Sequence, residues 1–356
     1  MLIMVSCGDR RDNFSANNKK ETYIMKYKPL GSSGIEASVV AVGTWVTGGG
    51  ATWNGVDDAE SLRALDAAFD HGVNFVDTAP AYGWGHSEEI VGRAIKGRRD
   101  RIVVATKCGI WWEDARGSFH FHLDGKDTYI SLRPDTIAIE IENSLRRLGT
   151  DYIDLYQTHW PAKEPENTPV EDTVALLMKL KDEGKIRAIG VSNVSVPQLD
   201  AYCAAGDIVS DQFRYSILYR EPEADILPWC AEHKLATLTY MSLEQGLLTG
   251  KVGLDRVFKE DEFRSNEDWN PWFKQANRPK ILAMLDNWKP LTEKYGCTLA
   301  QLVISWTTAQ DGVTHVLCGM RTEEQAKQNA AAGAITLEDG DIAQMRADAV
   351  ALGAPA

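Results

Sequence analysis

Four residues whose side chains can carry out acid–base chemistry lie where buried strands are predicted to end. Asp77 follows the apolar run Val73 to Val76, and Tyr82 comes shortly after it among small, turn-forming residues. Lys107 and His159 lie at the ends of the next two predicted strands. Each has an ordinary structural explanation when taken alone: a carboxylate that caps a turn, a surface phenol, a solvated ammonium and a packed imidazole.

These four groups together would make a proton donor for a carbonyl. A free tyrosine has a pKa near ~10, and an adjacent ammonium stabilises the phenolate and lowers that pKa. A carboxylate would keep the lysine charged and in place, and a histidine would hydrogen-bond a substrate oxygen. Because no side chain supplies hydride, carbonyl reduction by this group would require a bound cofactor.

The surrounding elements are predicted to bring the four residues together. Short apolar runs alternate with amphipathic stretches, which is typical of parallel strands connected by helices. Eight strands are predicted, at residues 39–43, 73–76, 102–106, 153–157, 186–191, 208–213, 236–240 and 314–317. This pattern favours an α/β fold, a closed (β/α)8 TIM barrel with an N-terminal β-hairpin cap and extra C-terminal helices. Chemistry in such barrels lies at the C-terminal ends of the strands.

Composition narrows the class of protein. The chain has 356 residues, 44% of them apolar, and a net charge of −13, which argues against nucleic acid or an anionic membrane as a partner. Its apolar runs are too short to span a bilayer. Six scattered cysteines without a CxxC pair favour a reducing, cytoplasmic location. The expected assembly is a monomer or homo-oligomer.

The polar residues 1–25 are expected to form a disordered extension, with the barrel in residues 26–356 and a native start at Met25. Ser6-Cys7-Gly8 faintly resembles a lipoprotein cleavage site, an alternative that would contradict the cytoplasmic location. The run Phe119 to His122 suggests a metal site only weakly, because no acidic or cysteine partner accompanies it. No metal is therefore expected.

An ordered set of motifs resembles the aldo-keto reductase family. These motifs are Asp77-Thr-Ala-Pro-Ala-Tyr82-Gly, Lys107 at its strand end, Leu155-Tyr-Gln-Thr-His159-Trp-Pro, Lys185-Ile-Arg-Ala-Ile-Gly-Val-Ser192-Asn193, Gln212-Phe-Arg-Tyr-Ser, Tyr240 through Lys251, and Gly319-Met-Arg321 through Asn329. The resemblance extends from about Lys26 to Leu352 and is closest to the bacterial branch near the potassium-channel β-subunits and the inositol-catabolism oxidoreductases.

The resemblance implies roles for individual residues. Tyr82 would be the general acid, Lys107 and Asp77 its supports, and His159 the residue that orients the carbonyl. The positions that match cofactor-binding residues of the family are Ser192, Asn193 and Gln212 for the nicotinamide carboxamide, Tyr240 for the nicotinamide ring, Leu247 and Lys251 along the pyrophosphate, Arg321, Gln325 and Asn329 at the adenosine-phosphate end, and Thr44, Ser242, Leu243, Gly246 and Gly319 elsewhere in the cleft.

The adenosine-phosphate end also has a physical basis in the sequence. Thr322 and Gln325 form a capping-box pattern at a predicted helix start, where anions bind well. Arg321 precedes that helix, and its planar guanidinium can donate two hydrogen bonds to one phosphate. The nearby Glu323 and Glu324 add unfavourable charge, and many relatives have a basic residue at the position of Gln325. NADPH is the expected cofactor, with NADH less favoured.

Trp45, Trp84, Trp111 and Trp160 all follow predicted strands and could wall a substrate pocket. The run Trp269 to Phe273 is either a lid or a structural loop. The predicted activity is reduction of an aldehyde or ketone, such as a sugar or ketosugar, or the reverse oxidation. Two alternatives are a cofactor-binding partner protein like the channel β-subunits and a metal-dependent barrel lyase or isomerase, which would need a ligand cluster that the sequence does not offer.

Overall fold

Short strands alternate with helices through most of the chain. The computed structural model describes residues 24–50, 53, 55–260 and 262–356. Within those residues the strands are β1 (Tyr27–Pro29), β2 (Glu36–Ser38), β3 (Val40–Gly43), β4 (Phe75–Asp77), β5 (Val103–Cys108), β6 (Ile110–Trp111), β7 (Ser118–Leu123), β8 (Lys126–Ile130), β9 (Ile153–Thr158), β10 (Ile186–Ser192), β11 (Ile208–Arg214), β12 (Ala236–Tyr240) and β13 (His315–Cys318).

Helices cover the outside of these strands. They are α1 (Asp58–Asp70), α2 (His86–Ile95), α3 (Pro134–Leu148), α4 (Val170–Asp182), α5 (Val196–Ala205), α6 (Ile226–Glu232), α7 (Arg278–Asn287), α8 (Lys289–Tyr295), α9 (Leu299–Thr308), α10 (Glu323–Ala332) and α11 (Asp339–Ala351). Three of these helices, α7, α8 and α9, follow one another between β12 and β13. No helix among the described residues is long and apolar enough to cross a membrane.

Eight of the strands close into a parallel barrel. They are β3, β4, β5, β9, β10, β11, β12 and β13, and their order around the barrel is their order along the chain. At least one helix lies between each barrel strand and the next. These are the eight predicted strands, with ends that agree to within about two residues, so the predicted (β/α)8 architecture is confirmed.

The sequence folds in this way because each barrel strand is buried on both faces. Every residue of β5 and of β9 is buried, which agrees with the mostly apolar start of each strand, and the polar side chains among them, such as Asp154 and Gln157, are hydrogen-bonded. Side chains that point inward, among them Phe75, Leu155 and Leu238, form one apolar cluster inside the barrel. A second and larger cluster fills the layer between the strands and the helices.

The hairpin of β1 and β2 closes the N-terminal end of the barrel. Leu30, Ile35 and Ala37 are buried and belong to the same apolar cluster as the barrel interior. The predicted hairpin cap is therefore confirmed, and so is an extra terminal helix, α11. Residues 1–23, on which the predicted N-terminal extension mostly falls, lie outside the described residues.

A small antiparallel sheet, not predicted from the sequence, lies in the loop between β5 and α3. It contains β6, β8 and β7 in that order, and we call it the loop sheet. Its register shifts between Phe119 and Phe121, which leaves His120 as the extra residue of a β-bulge. The Thr128 hydroxyl donates to the carbonyl oxygen of Phe121 at 2.7 Å and accepts from its N–H at 3.2 Å, which stabilises the bulge.

We predict opposite effects from adding one methyl group to two helical glycines. A Cβ at Gly92 in α2 would lie 2.7 Å from the carbonyl oxygens of Arg147 and Leu148 at the end of α3, and backbone atoms there cannot easily yield. Gly92→Ala should lower the melting temperature although alanine favours helix. Gly340→Ala in α11, where a Cβ meets nothing within 4 Å, should raise the free energy of unfolding by about 0.4–1 kcal/mol. Thermal unfolding of both variants and of the parent protein measures the two effects. A Gly92→Ala protein more stable than the parent would contradict the described packing of α2 on α3.

Candidate active site

A buried ion pair between Asp77 and Lys107 lies at the centre of the barrel mouth. The lysine Nζ is 2.6 Å from Oδ1 of Asp77 and donates a further hydrogen bond to the carbonyl oxygen of Thr78 at 2.8 Å. Asp77 is 2% exposed and Lys107 is fully buried. The two residues end or nearly end the neighbouring strands β4 and β5, so the parallel barrel itself places carboxylate and ammonium side by side.

Tyr82 joins this pair from the loop that follows β4. Its hydroxyl oxygen lies 3.3 Å from Nζ of Lys107. The backbone beside it is held closely against the loop that follows β3: a Cβ at Gly83, where φ is +63°, would lie 2.1 Å from the carbonyl oxygen of Gly48. Only glycine fits at that contact, which fixes the loop and with it the direction of the phenol.

Burial raises the pKa of Tyr82, and this effect outweighs the opposing influence of the Lys107 ammonium. The ammonium therefore does not bring the phenol below its ordinary pKa in this state, in contrast to the expectation from the sequence. Burial alone would lower the pKa of Lys107, but the negative charge of Asp77 and the Tyr82 phenol raise it above its ordinary value. The site holds a protonated phenol beside a charged lysine.

His159 faces the phenol from the end of β9. Its ring centroid is 5.9 Å from that of Tyr82, and its backbone N–H donates to the carbonyl oxygen of Cys108. Burial, followed by the positive charge of Lys107 and by His120, lowers the pKa of His159 well below its ordinary value. The imidazole is therefore neutral at physiological pH and can donate a hydrogen bond without adding charge.

Two glutamines complete the surroundings of Asp77. Its Oδ2 accepts from Nε2 of Gln157 at 3.0 Å and from Nε2 of Gln212 at 2.9 Å, and Gln212 also donates to Oε1 of Gln157 at 3.1 Å. The sequence analysis gave Gln157 no role. A polar residue inside the apolar run of β9, two positions before His159 and thus on the same inward face, is the signal that could have revealed it.

The residues predicted to bind the nicotinamide carboxamide form one chain of hydrogen bonds. The Ser192 hydroxyl donates to the carbonyl oxygen of Gln212 at 2.7 Å. Asn193, at a φ of +61°, donates from Nδ2 to the carbonyl oxygen of His159 at 3.0 Å and accepts from the hydroxyl of Tyr240 at 2.7 Å. The structure thus brings these positions next to Asp77 and His159. Their role towards a cofactor remains a prediction.

The loop after β12 contains strained backbone and buried polar atoms without protein partners. Met241, Glu244 and Gln245 all have positive φ, which is rare for residues other than glycine. The Ser242 hydroxyl and both amide atoms of Gln245 are buried, and no described residue pairs with them. Donors of this kind fit a phosphate-containing cofactor, and Gln245 is a candidate that the sequence analysis missed. Of the other predicted positions here, Leu247 is buried, Leu243 and Gly246 are partly exposed, and Lys251 is exposed.

Glu244 ties this loop to the segment that contains Trp269. Its carboxylate accepts from Arg214 at 2.7 Å, from the Ser216 hydroxyl at 2.5 Å and from Asn270 at 2.8 Å. The guanidinium of Arg214 also lies 5.5 Å from the centroid of Trp269. The segment predicted as a lid or structural loop is therefore joined to the barrel rim through one buried carboxylate.

Positive charge collects at the predicted adenosine-phosphate end. The guanidinium carbons of Arg321 and Arg264 lie 5.3 Å and 5.1 Å from the ring centroid of Trp53. Nη2 of Arg321 is buried with no partner among the described residues. Burial and then the charge of Arg264 lower the pKa of Arg321. Arg264 contacts Glu262, which offsets part of this charge.

The helix start beside Arg321 is capped as predicted, although Gln325 acts differently. The Thr322 hydroxyl accepts from the N–H of Gln325 at 3.2 Å, while the side-chain oxygen of Gln325 accepts from the N–H of Arg321 at 2.8 Å. The side-chain oxygen of Gln325 is therefore already paired within the protein. Asn329 donates to the carbonyl oxygen of Gly319 at 3.1 Å and so holds the turn that carries Arg321.

The four tryptophans predicted as a substrate wall lie in separate clusters. Trp45 packs with Trp53, Phe263 and Trp269, with centroid distances of 5.4, 5.1 and 6.5 Å. Three further contacts account for the others: Trp84 with Trp112 at 5.4 Å, Trp160 with His120 at 5.6 Å, and Trp111 with the guanidinium of Arg116 at 4.8 Å. Trp111 is only 3% exposed, so it has little surface for a substrate.

Thr44, a predicted cofactor-binding position, is fully buried. Its hydroxyl donates to the carbonyl oxygen of Asp77 at 2.9 Å and accepts from the Ser87 hydroxyl at 2.8 Å. Thr44 therefore links the ends of β3 and β4 beneath the site. No group of three or more His, Cys, Asp or Glu residues within the described part of the chain is arranged to hold a metal.

Comparison with known proteins identifies relatives over nearly the whole chain. The model of the aldo/keto reductase family matches residues 39–348. The chain is 42% identical over 330 residues to the NADH-specific methylglyoxal reductase of Escherichia coli (strain K12), covering 92% of this chain and 99% of that protein. The glycerol dehydrogenase AKR11B4 from Gluconobacter oxydans has a similar structure, with a TM-score of 0.80 and 36% identity over 94% of this chain and 97% of that one. An aldo-keto reductase from Klebsiella pneumoniae in complex with NADPH has a TM-score of 0.68 and 29% identity over 90% and 94%.

Glu140, on α3, supports the strand end that carries Lys107. Both of its carboxylate oxygens accept from the N–H of Gly109, at 2.9 and 3.2 Å. Burial raises its pKa to about 8, although the Gly109 hydrogen bond opposes the shift. The folded protein therefore keeps this proton at pH values where the unfolded chain has lost it.

The raised pKa of Glu140 makes stability depend on pH. The stabilisation is complete below the unfolded pKa of about 4.5 and is lost as the pH rises towards about 8. Glu140→Gln cannot ionise, so its free energy of unfolding should rise relative to the parent by on the order of 1–2 kcal/mol between pH 5 and pH 7. Chemical unfolding at several pH values measures this, with Glu142→Gln, an exposed carboxylate on the same helix, as the control. A pH-independent difference would contradict the raised pKa.

Proposed function

Because the chain belongs to the aldo/keto reductase family, we propose that it reduces a small carbonyl compound with Tyr82 as the proton donor. A nicotinamide cofactor bound along the rim would supply hydride to the carbonyl carbon. The observation that carries this proposal is the contact between the Tyr82 hydroxyl and Nζ of Lys107, at 3.3 Å, beside the buried Asp77. As the phenol gives its proton to the carbonyl oxygen, the adjacent ammonium stabilises the phenolate that forms.

The other residues of the site orient the substrate and limit the charge around it. The neutral imidazole of His159 is placed to donate a hydrogen bond to the carbonyl oxygen without repelling Lys107. Gln157 and Gln212 donate hydrogen bonds to the other carboxylate oxygen of Asp77 and so hold this carboxylate in position beside Lys107. The substrate names of two relatives, methylglyoxal and glycerol, support a small, oxygen-rich substrate.

Removal of the phenolic hydroxyl tests the proton donor. Tyr82→Phe should lower kcat by about 10²–10⁴-fold, because a positioned acid contributes about that much. The dissociation constant of the cofactor, measured by fluorescence titration, should change little. Turnover close to that of the parent would refute the assignment of Tyr82. A parent protein that binds the cofactor but turns over no aldehyde or ketone would favour the cofactor-binding partner protein instead.

We further propose that NADPH binds more tightly than NADH. Arg321 supports this preference, because its buried Nη2 has no described protein partner. The guanidinium groups of Arg321 and Arg264 both lie against the indole ring of Trp53, so two positive charges are close to one another. An additional phosphate would satisfy that donor and offset the repulsion between the two cations. The internal contact of Gln325 and the NADH-specific relative weigh against this preference, so a direct measurement is decisive.

Arg321→Ala should weaken NADPH binding about tenfold or more, since a charge-assisted hydrogen bond contributes roughly 1.5–3 kcal/mol. Binding of NADH to the same variant is the internal control and should change much less. Fluorescence titration with both cofactors gives the four dissociation constants. If the unmutated protein binds NADH as tightly as NADPH, then Arg321 does not select for the additional phosphate.

A further inference from the structure

His120 lies in a β-bulge beside the catalytic histidine. The bulge adds one residue to β7 between Phe119 and Phe121, which interrupts the usual alternation of side chains between the two faces of a strand. Their ring centroids are 4.8 Å apart. Bulges occur often next to active sites, where they redirect a side chain. The imidazole of His120 therefore does not follow the regular alternation of side chains along β7.

Other contacts place His120 at the barrel mouth. Its ring lies 5.6 Å from that of Trp160, the residue that follows His159. The Ser118 hydroxyl, in the same strand, donates to the carbonyl oxygen of Lys163 at 2.6 Å and accepts from the N–H of Glu166 at 2.9 Å. The strand is thus anchored along the loop that leaves the catalytic histidine. His120 is also close enough to His159 to perturb its pKa.

The imidazole of His120 is available for hydrogen bonding. Among the described residues, no hydrogen-bond partner contacts either of its ring nitrogens, and the residue is partly exposed. Burial and then the charge of Lys163 lower its pKa to about 4, so it is neutral at physiological pH. His122, two positions further along, differs: it is exposed and pairs with Asp127 at 2.7 Å.

We propose that His120 is a specificity-determining residue that hydrogen-bonds an oxygen on the carbon next to the reacting carbonyl. This inference rests on the proposed carbonyl reduction and narrows its substrates to α-hydroxy and α-oxo carbonyl compounds. The neutral imidazole can donate to a second carbonyl, or both donate to and accept from a hydroxyl. The exposed indole of Trp160, 36% accessible, would lie beside the same part of the substrate.

The test compares two three-carbon aldehydes that differ at the adjacent carbon. Glyceraldehyde has a hydroxyl there and propanal does not. His120→Ala should lower kcat/KM for glyceraldehyde about tenfold or more and for propanal less than about threefold, because only glyceraldehyde loses a hydrogen bond. His120→Gln keeps a donor and an acceptor and should recover part of the loss. His122→Ala is the matched control and should leave the ratio of the two kcat/KM values unchanged.

The ratio of the two kcat/KM values decides between the outcomes, since it does not depend on the fraction of active protein. An unchanged ratio in both His120 variants would overturn the proposal while leaving carbonyl reduction intact. If His120→Ala does not fold, His120→Phe, which keeps an aromatic ring but has no donor or acceptor, takes its place, and a parental ratio in that variant overturns the proposal. A parent protein that reduces neither aldehyde nor any other carbonyl would refute the proposed function itself.

Discussion

The buried ion pair of Asp77 and Lys107 is the interaction on which the rest of the site depends. Burial of two charges costs several kcal/mol per ion and is offset only when the remaining donors and acceptors are paired. Here they are paired: Lys107 also contacts the Thr78 carbonyl, and Asp77 accepts from two glutamines. A neutral replacement of Asp77 or Lys107 would leave the other residue as an unpaired charge in the interior. The additional hydrogen bonds from the surrounding polar groups help to offset the cost of burying both charges.

The closed barrel makes this arrangement possible. The carboxylate comes from β4, the ammonium from β5, and the two amides from β9 and β11, which lie at different points around the barrel. In an open sheet, side chains from the first and last of these strands would lie far apart. Closure turns their inward faces towards one another, so one carboxylate can accept hydrogen bonds from strands that are distant in sequence. The fold therefore determines the charge state of the site as well as its shape.

The strands, and the convergence of Asp77, Tyr82, Lys107 and His159 at one end of the barrel, could be predicted from the sequence because each depends on a local signal. Short, mostly apolar runs predict strands buried on both faces, and the polar residues at their ends predict that these side chains share one rim. The loop sheet lacks such a signal, since β6 has only two residues, β7 and β8 are partly exposed, and a bulge at His120 disrupts the alternation of β7. The roles of Gln157 and Gln212 towards Asp77 depend on contacts across the barrel, which no local pattern contains. The pKa of Tyr82 depends on a balance of burial and charge that spacing alone cannot give.

The distribution of paired and unpaired polar groups separates the chemistry of the site from its recognition. Lys107 contacts Asp77, Thr78 and Tyr82 within the protein, so the arrangement of these groups exists without a bound substrate. Among the buried groups without described partners are Ser242 and Gln245, in the loop after β12, and Arg321, beside the start of α10. Sequence changes at such positions can alter which molecule binds while Tyr82, Lys107 and Asp77 stay in place. His120 also has no described hydrogen-bond partner, in spite of its closeness to His159, and this is why specificity rather than rate is its expected contribution.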